Sequence, residues 1–204
     1  MGKLGKLNNL LGVVGVLGLG ILVGIFLTGR WPATQVQAVA TDRAENYAIA
    51  TGWVDEGVEA VYFLDFLTGT LRAAVPSNQT RDFRARFEAN VLADLQKVID
   101  IQNANLAAAN AQRARSGLPP LPPLQVPQNP RFLMVTGNLD IRRGAAARTR
   151  PGAALVYVAE VNTGIVLAYV VPWNQSAHAA NQPQSGPLEL WAGDRFGTAV
   201  LRTQ

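Results

Sequence analysis

Two stretches of the chain, "VYFLDFLTGTLRAAV" at residues 61–75 and "VYVAEVNTGIVLAYV" at residues 156–170, follow one pattern. Each reads as a strand, a Thr-Gly turn and a strand. The apolar runs are rich in β-branched and aromatic residues, and the glycine can take the left-handed conformation of a tight hairpin. A further apolar run precedes each pair. Thr136-Gly137 answers Thr51-Gly52, Asp140 answers Asp55, Glu160 answers Asp65, and Ala168 and Val170 answer Ala73 and Val75. The offset is 85 residues at the first pair and 95 afterwards, so the second unit carries an insertion in its first loop. This repetition predicts two duplicated three-stranded β-meanders, residues 46–75 and 131–173.

The run Tyr62-x-x-Asp65-x-x-Thr68-Gly69 is similar to the hairpin of propeller blades of the quinoprotein type. That resemblance implies at least about four blades closing on one another. Here there are two units with a helical stretch between them, and Ala74 stands where a blade-closing tryptophan would be. No cofactor site is carried over, and none is expected.

Between the units, residues 80–116 read as one long helix, with Thr80 as N-cap and Asp82 in the first turn. Phe83, Phe87, Val91, Leu95 and Val98 recur at steps of three and four, widened by Leu92, Ile99 and Leu106. Arg113 and Arg115 suit a C-terminus closed by Gly117. Residues 117–130, "GLPPLPPLQVPQNP", form a connector that should run extended and polyproline-like, the alternative being a ligand for a proline-recognising domain. The fold class expected is α+β: an antiparallel sheet of two meanders with one amphipathic helix on a face. Residues Leu155, Tyr157 and Val161 fall on one face of the second unit, Val156 and Val158 on the other. The face away from the helix therefore needs cover from Trp173 and from Leu188, Leu190 and Trp191 of the C-terminal segment 174–204, or from another subunit.

The first 31 residues have a different character. Residues 10–28 form nineteen positions without a charge, long enough as a helix to span a hydrocarbon core of about 30 Å. Lys3 and Lys6 precede the run; Arg30 and the interfacial aromatic Trp31 follow it. This pattern predicts a transmembrane anchor with its N-terminus in the cytoplasm of a bacterium and the main domain, residues 46–204, outside the inner membrane. Residues 32–45 read as a tether. A cleaved signal peptide ending near residues 38–40 is the alternative. Gly12, Gly15, Gly18, Gly20 and Gly24 give the segment a smooth face suited to helix–helix packing.

Chemistry is narrowed by what is missing. With no cysteine, disulfides, thiolate nucleophiles and cysteine-held metals are excluded. The single histidine, His178, lies in a small polar run that reads as a solvated loop. Neither a Gly-x-Ser-x-Gly elbow nor a phosphate-binding loop ending in Lys-Ser/Thr occurs. Asp55, Glu56 and Glu59 cluster at a tight turn, where acids serve turn chemistry and solubility more often than catalysis or calcium binding. The net charge of +4 comes mostly from the residues flanking the first segment, since beyond Trp31 fifteen basic residues face fourteen acids. Nucleic acid is thus not an expected partner.

The expected function is a non-enzymatic structural, scaffolding or accessory subunit of an envelope complex, associating with itself or another membrane protein. The alternative is capture of an anionic ligand or acidic partner by Arg142, Arg143, Arg148 and Arg150 in the loop 140–151.

Overall fold

The computed structural model describes residues 41–139 and 150–197. Within them the chain runs β1 (Thr41–Arg43), β2 (Tyr47–Asp55), β3 (Val58–Asp65), β4 (Thr70–Pro76), β5 (Phe83–Asn90), α1 (Val91–Arg115), β6 (Phe132–Asn138) and β7 (Arg150–Glu160). It ends with β8 (Ile165–Trp173), α2 (Gln175–Ala179), β9 (Gln184–Pro187) and β10 (Glu189–Arg195). The strands form two sheets: a six-stranded mixed one ordered β1-β2-β3-β4-β5-β9, and a four-stranded antiparallel one ordered β10-β8-β7-β6.

This is an α+β domain with one long helix, and its strands form two sheets, where the sequence leaves one shared sheet or two facing ones open. One sheet with a helix on one face would leave a second apolar face in water. Two facing sheets bury both inner faces in one core. The six-stranded sheet is also not purely antiparallel, because β9 pairs β5 in parallel. Residues 41–43, read as tether, form the edge strand β1.

The helix begins eleven residues later than its expected start at Thr80. Residues 83–90, "FRARFEAN", alternate from Ala85 on: Ala85 and Phe87 are buried while Arg86 and Glu88 are exposed. Phe83 and Phe87 stand four apart, a spacing that a period of 2 satisfies as well as one of 3.6, and the charges between them decide for a strand. The cap is Asn90, whose side chain accepts from the Ala93 amide at 2.9 Å. From there Val91, Leu95, Val98 and Ile99 form the buried stripe, with Asp94 beside them. Arg113 and Arg115 occupy the last turn, and Gly117, at φ 68°, closes it as expected.

Glycine sets how near the sheets come. A Cβ on Gly52 of β2 would lie 3.0 Å from the Ala154 Cβ of β7, and one on Gly152 would lie 3.3 Å from the Val54 backbone. β2 packs against β6 and β7 here, while α1 lies against β4, β8 and β10. The core between them centres on Tyr62, Leu64, Leu71, Leu95, Phe132, Leu167, Tyr169 and Trp173, none more than 1% exposed.

The two meanders share their register. Thr51 pairs Val61 as Thr136 pairs Val156, and Val61 pairs Ala74 as Val156 pairs Tyr169. Gly69 and Gly164 turn at φ 65° and 69°. Yet their buried faces differ. Ala60, Tyr62 and Leu64 point inward from β3, whereas Val156, Val158 and Glu160, the counterparts of Val61, Phe63 and Asp65, point inward from β7. Related sequences therefore meet the core with opposite faces.

The proline-rich connector lies along the second half of α1. Leu121 and Leu124 are the only residues of 119–124 with an amide N–H. Asn110 Oδ1 accepts from Leu121 and Asn103 Oδ1 from Leu124, each at 2.8 Å, while the same two asparagines donate to the Leu121 and Leu124 carbonyls at 2.9 Å. Seven residues of α-helix rise about 10.5 Å and three of polyproline helix about 9.3 Å, so the two periods run nearly in step. Arg113 adds a third tie, donating to the Pro119 carbonyl at 2.9 Å.

Candidate interaction surface

Several polar side chains in and beside the core tie elements of the fold together. Asp55 accepts from the Trp173 indole at 3.1 Å and from the Glu56 amide at 2.9 Å, joining the first turn to β8. Asp94 accepts from the Tyr169 hydroxyl at 3.2 Å and from Lys97 at 2.8 Å, tying α1 to β8. Burial first, and then the Asp94 charge and hydrogen bond, push the Tyr169 phenol well above the usual tyrosine range. Glu160, 1% exposed, is fully engaged: Oε1 accepts from the Arg131 amide and Asn162, and Oε2 from the Thr163 amide and hydroxyl. Its counterpart Asp65 caps the other turn through the Leu67 and Thr68 amides. His178, read as a solvated loop residue, sits on α2 with its ring 5.0 Å from Trp173.

Each buried carboxylate has its donors, and among the described residues no cluster of three His, Asp or Glu could hold a metal ion. An open groove of about 1190 Å³ runs along β5, β9 and the start of α1. Four of its five charged residues stand in pairs, Arg72 facing Glu88 at 3.7 Å and Lys97 facing Asp94 at 2.8 Å, with Arg86 beside them.

The surface is more telling at the sheet edges. β1 is three residues long and carries Asp42 and Arg43. β9 has four residues and ends in Gly-Pro. β10 is bulged between Leu190 and Ala192, carries Glu189, Asp194 and Arg195, and has α1 against it. Short length, charge, proline, bulges and cover are the usual devices against strand pairing between molecules. Among the described residues β6 has none of them. It is seven residues, "FLMVTGN", unbulged, uncharged and free of proline, with Leu133 and Val135 52% and 51% exposed.

The backbone of β6 can be oriented from the ends of its ladder. Val161 donates to the Arg131 carbonyl and Leu139 donates to the Ala153 carbonyl, each at 2.8 Å. Antiparallel ladders alternate bonded and non-bonded pairs, so the odd-numbered residues of β6 bond to β7. Phe132, Met134 and Thr136 then turn their N–H and C=O groups to the other side. Among the described residues β6 pairs with β7 alone.

The outer face of this sheet continues the apolar surface. Leu155, Ala168 and Val170 form a small second cluster, with Leu139, Tyr157 and Trp191 packed on it. Trp191, at the β10 bulge, supplies part of the cover expected of the C-terminal segment; Trp173 and Leu188 go to the main core instead. Among the described residues the cover ends toward β6, leaving Leu133, Val135 and, beyond β7, Val161 at 37% exposure.

Most site residues expected from the sequence are not among the described ones. Gly12, Gly15, Gly18, Gly20, Gly24, Arg30 and Trp31 fall outside the described residues, as do Arg142, Arg143 and Arg148. Arg150 opens β7, in register with Trp173. Among the described residues no helix is long and apolar enough to cross a membrane. Sequence reading places a strand at β6 but misses its edge position, because alternation marks a strand without telling whether it lies at an edge. No family model, curated protein or solved structure matches the chain.

Proposed function

We infer that the protein is a single-pass, membrane-anchored, non-enzymatic subunit of a bacterial envelope assembly. Residues 10–28 hold it in the inner membrane with the α+β domain outside, and its two meanders arose by internal duplication. The observation carrying this reading is the β6 edge, which among the described residues pairs with β7 alone, with exposed apolar residues beside it, on a domain whose buried carboxylates are used up in holding the fold. The hairpin registers shared by the meanders support the duplication. The anchor is supported by the uncharged run and its flanking charges.

The test is co-purification of the full-length chain from its native membrane after light cross-linking. Recovery in complex, with itself or in fixed ratio with another protein, is expected. A second reading gives the arginines Arg142, Arg143, Arg148 and Arg150 an anionic ligand. It is favoured by the grouping of four arginines within nine residues of sequence, the last of which opens β7. Replacing all four with Ser would then abolish salt-sensitive anion binding and leave assembly intact.

A further inference from the structure

We propose that β6 is a self-pairing edge: two copies of this chain join antiparallel through Phe132–Asn138, about a twofold axis at Val135, forming one eight-stranded sheet. This rests on the assembly reading above and identifies the partner as a second copy.

Three features of the strand select that partner. Centring on Val135 overlaps all seven residues and pairs each position with one of the same parity, Met134 with Thr136 and Leu133 with Gly137. Inward residues thus stay on the core side and outward residues on the outer side, where a slip of one residue would mix them. The outward-turned backbone groups of Met134 and Thr136 fall on the bonded pairs, giving four hydrogen bonds across the axis from these residues alone. Val135 then meets itself in a non-hydrogen-bonded pair, where side chains come closest. No charge lies between Phe132 and Asn138 to repel its own copy. Pairing also brings the exposed Leu133, Val135 and Val161 of both chains onto one continuous outer face. The contact is isologous and closes at two copies.

The absence of cysteine makes the test direct. In the full-length chain in its native membrane, Val135→Cys is oxidised under mild conditions. A non-hydrogen-bonded pair holds its Cα atoms about 4.5 Å apart, within the roughly 4.4–6.8 Å that a disulfide spans. A reducible dimer is expected, while Leu67→Cys, on a turn and 71% exposed, stays monomeric. Val135→Lys places like charges opposite each other and should weaken dimerisation in mild detergent by about tenfold or more. Its melting temperature should stay near that of the parent, because the site is half exposed. Complexes recovered by general cross-linking without a Val135→Cys dimer would overturn the self-pairing and leave the assembly reading standing. A bare monomer in both experiments would overturn both. A disulfide from position 135 to a different protein would assign the edge to that protein and overturn the twofold pairing.

Discussion

The Thr136 hydroxyl donates to the Thr51 carbonyl across the two sheets, at 2.5 Å, and these residues hold the same place in the two meanders. Thr136 is 7% exposed, so water does not replace the bond if it is lost. Thr136→Val keeps the shape and removes the donor. It should cost about 1–3 kcal/mol, read as a lower urea midpoint with unchanged slope. Thr136→Ser keeps the hydroxyl and should recover most of the loss.

Two turn glycines separate backbone strain from crowding. Gly57 and Gly69 both have positive φ, 69° and 65°. A Cβ on Gly57 meets nothing within 4 Å, whereas one on Gly69 would lie 2.6 Å from Leu92 Cγ on α1. Gly57→Ala should therefore cost about 1–2 kcal/mol, the left-handed penalty alone. Gly69→Ala should cost roughly 1–3 kcal/mol more through overpacking against the helix. Equal losses in thermal or urea unfolding would show that Leu92 yields freely.

The connector makes an unusual demand on hydrogen exchange. Leu121 and Leu124 lie outside helix and strand, yet their amides bond to Asn110 and Asn103. Both should exchange slowly. Asn103→Ala with Asn110→Ala should bring them close to unprotected rates while the β-strand amides stay protected. Each substitution costs about 0.5–1.5 kcal/mol locally.

Stability should fall at alkaline pH through Tyr62 and Tyr169. Desolvation by burial holds both phenols above the usual tyrosine range, and at Tyr169 Asp94 adds its charge and hydrogen bond. The folded state keeps these protons longer than the unfolded one. Their contribution is therefore complete below the unfolded tyrosine pKa of about 10 and is lost as pH rises beyond it. In an absorbance titration, two of the four tyrosines should ionise only together with unfolding. Tyr169→Phe should shift that alkaline transition. At the acid end the exposed Asp65 carboxyl acts the other way. Desolvation opposes its lowered pKa, but bonds from Leu67 and Thr68 and the charge of Arg72 prevail. Its small contribution is present above the ordinary carboxylate range and fades as pH falls through the lowered value.

Legibility followed physical range. The hairpins were readable because Thr-Gly turns and alternating apolar runs are local signals, and Gly69 and Gly164 adopt the conformation the turn requires. The C-terminus of α1 was readable for the same reason. Its start was not, since Phe83 and Phe87 fit two periods and Asn90, the real cap, resembles many other asparagines. That the meanders face the core with opposite sides depends on how two sheets pack, and parity along one strand does not encode it. The β6 edge is likewise set by strand order, a long-range property. The asparagine ties to Leu121 and Leu124 left a faint trace, the seven-residue spacing of Asn103 and Asn110 against the three-residue spacing of the leucines.

The most direct measurement is the mass and composition of what is recovered when the full-length chain is cross-linked in its native membrane and extracted in mild detergent. Membership of an envelope assembly requires a complex of fixed stoichiometry, a dimer of this chain or a larger body containing it. Recovery of the chain alone, as a monomer from the membrane or as a soluble species, would contradict that account.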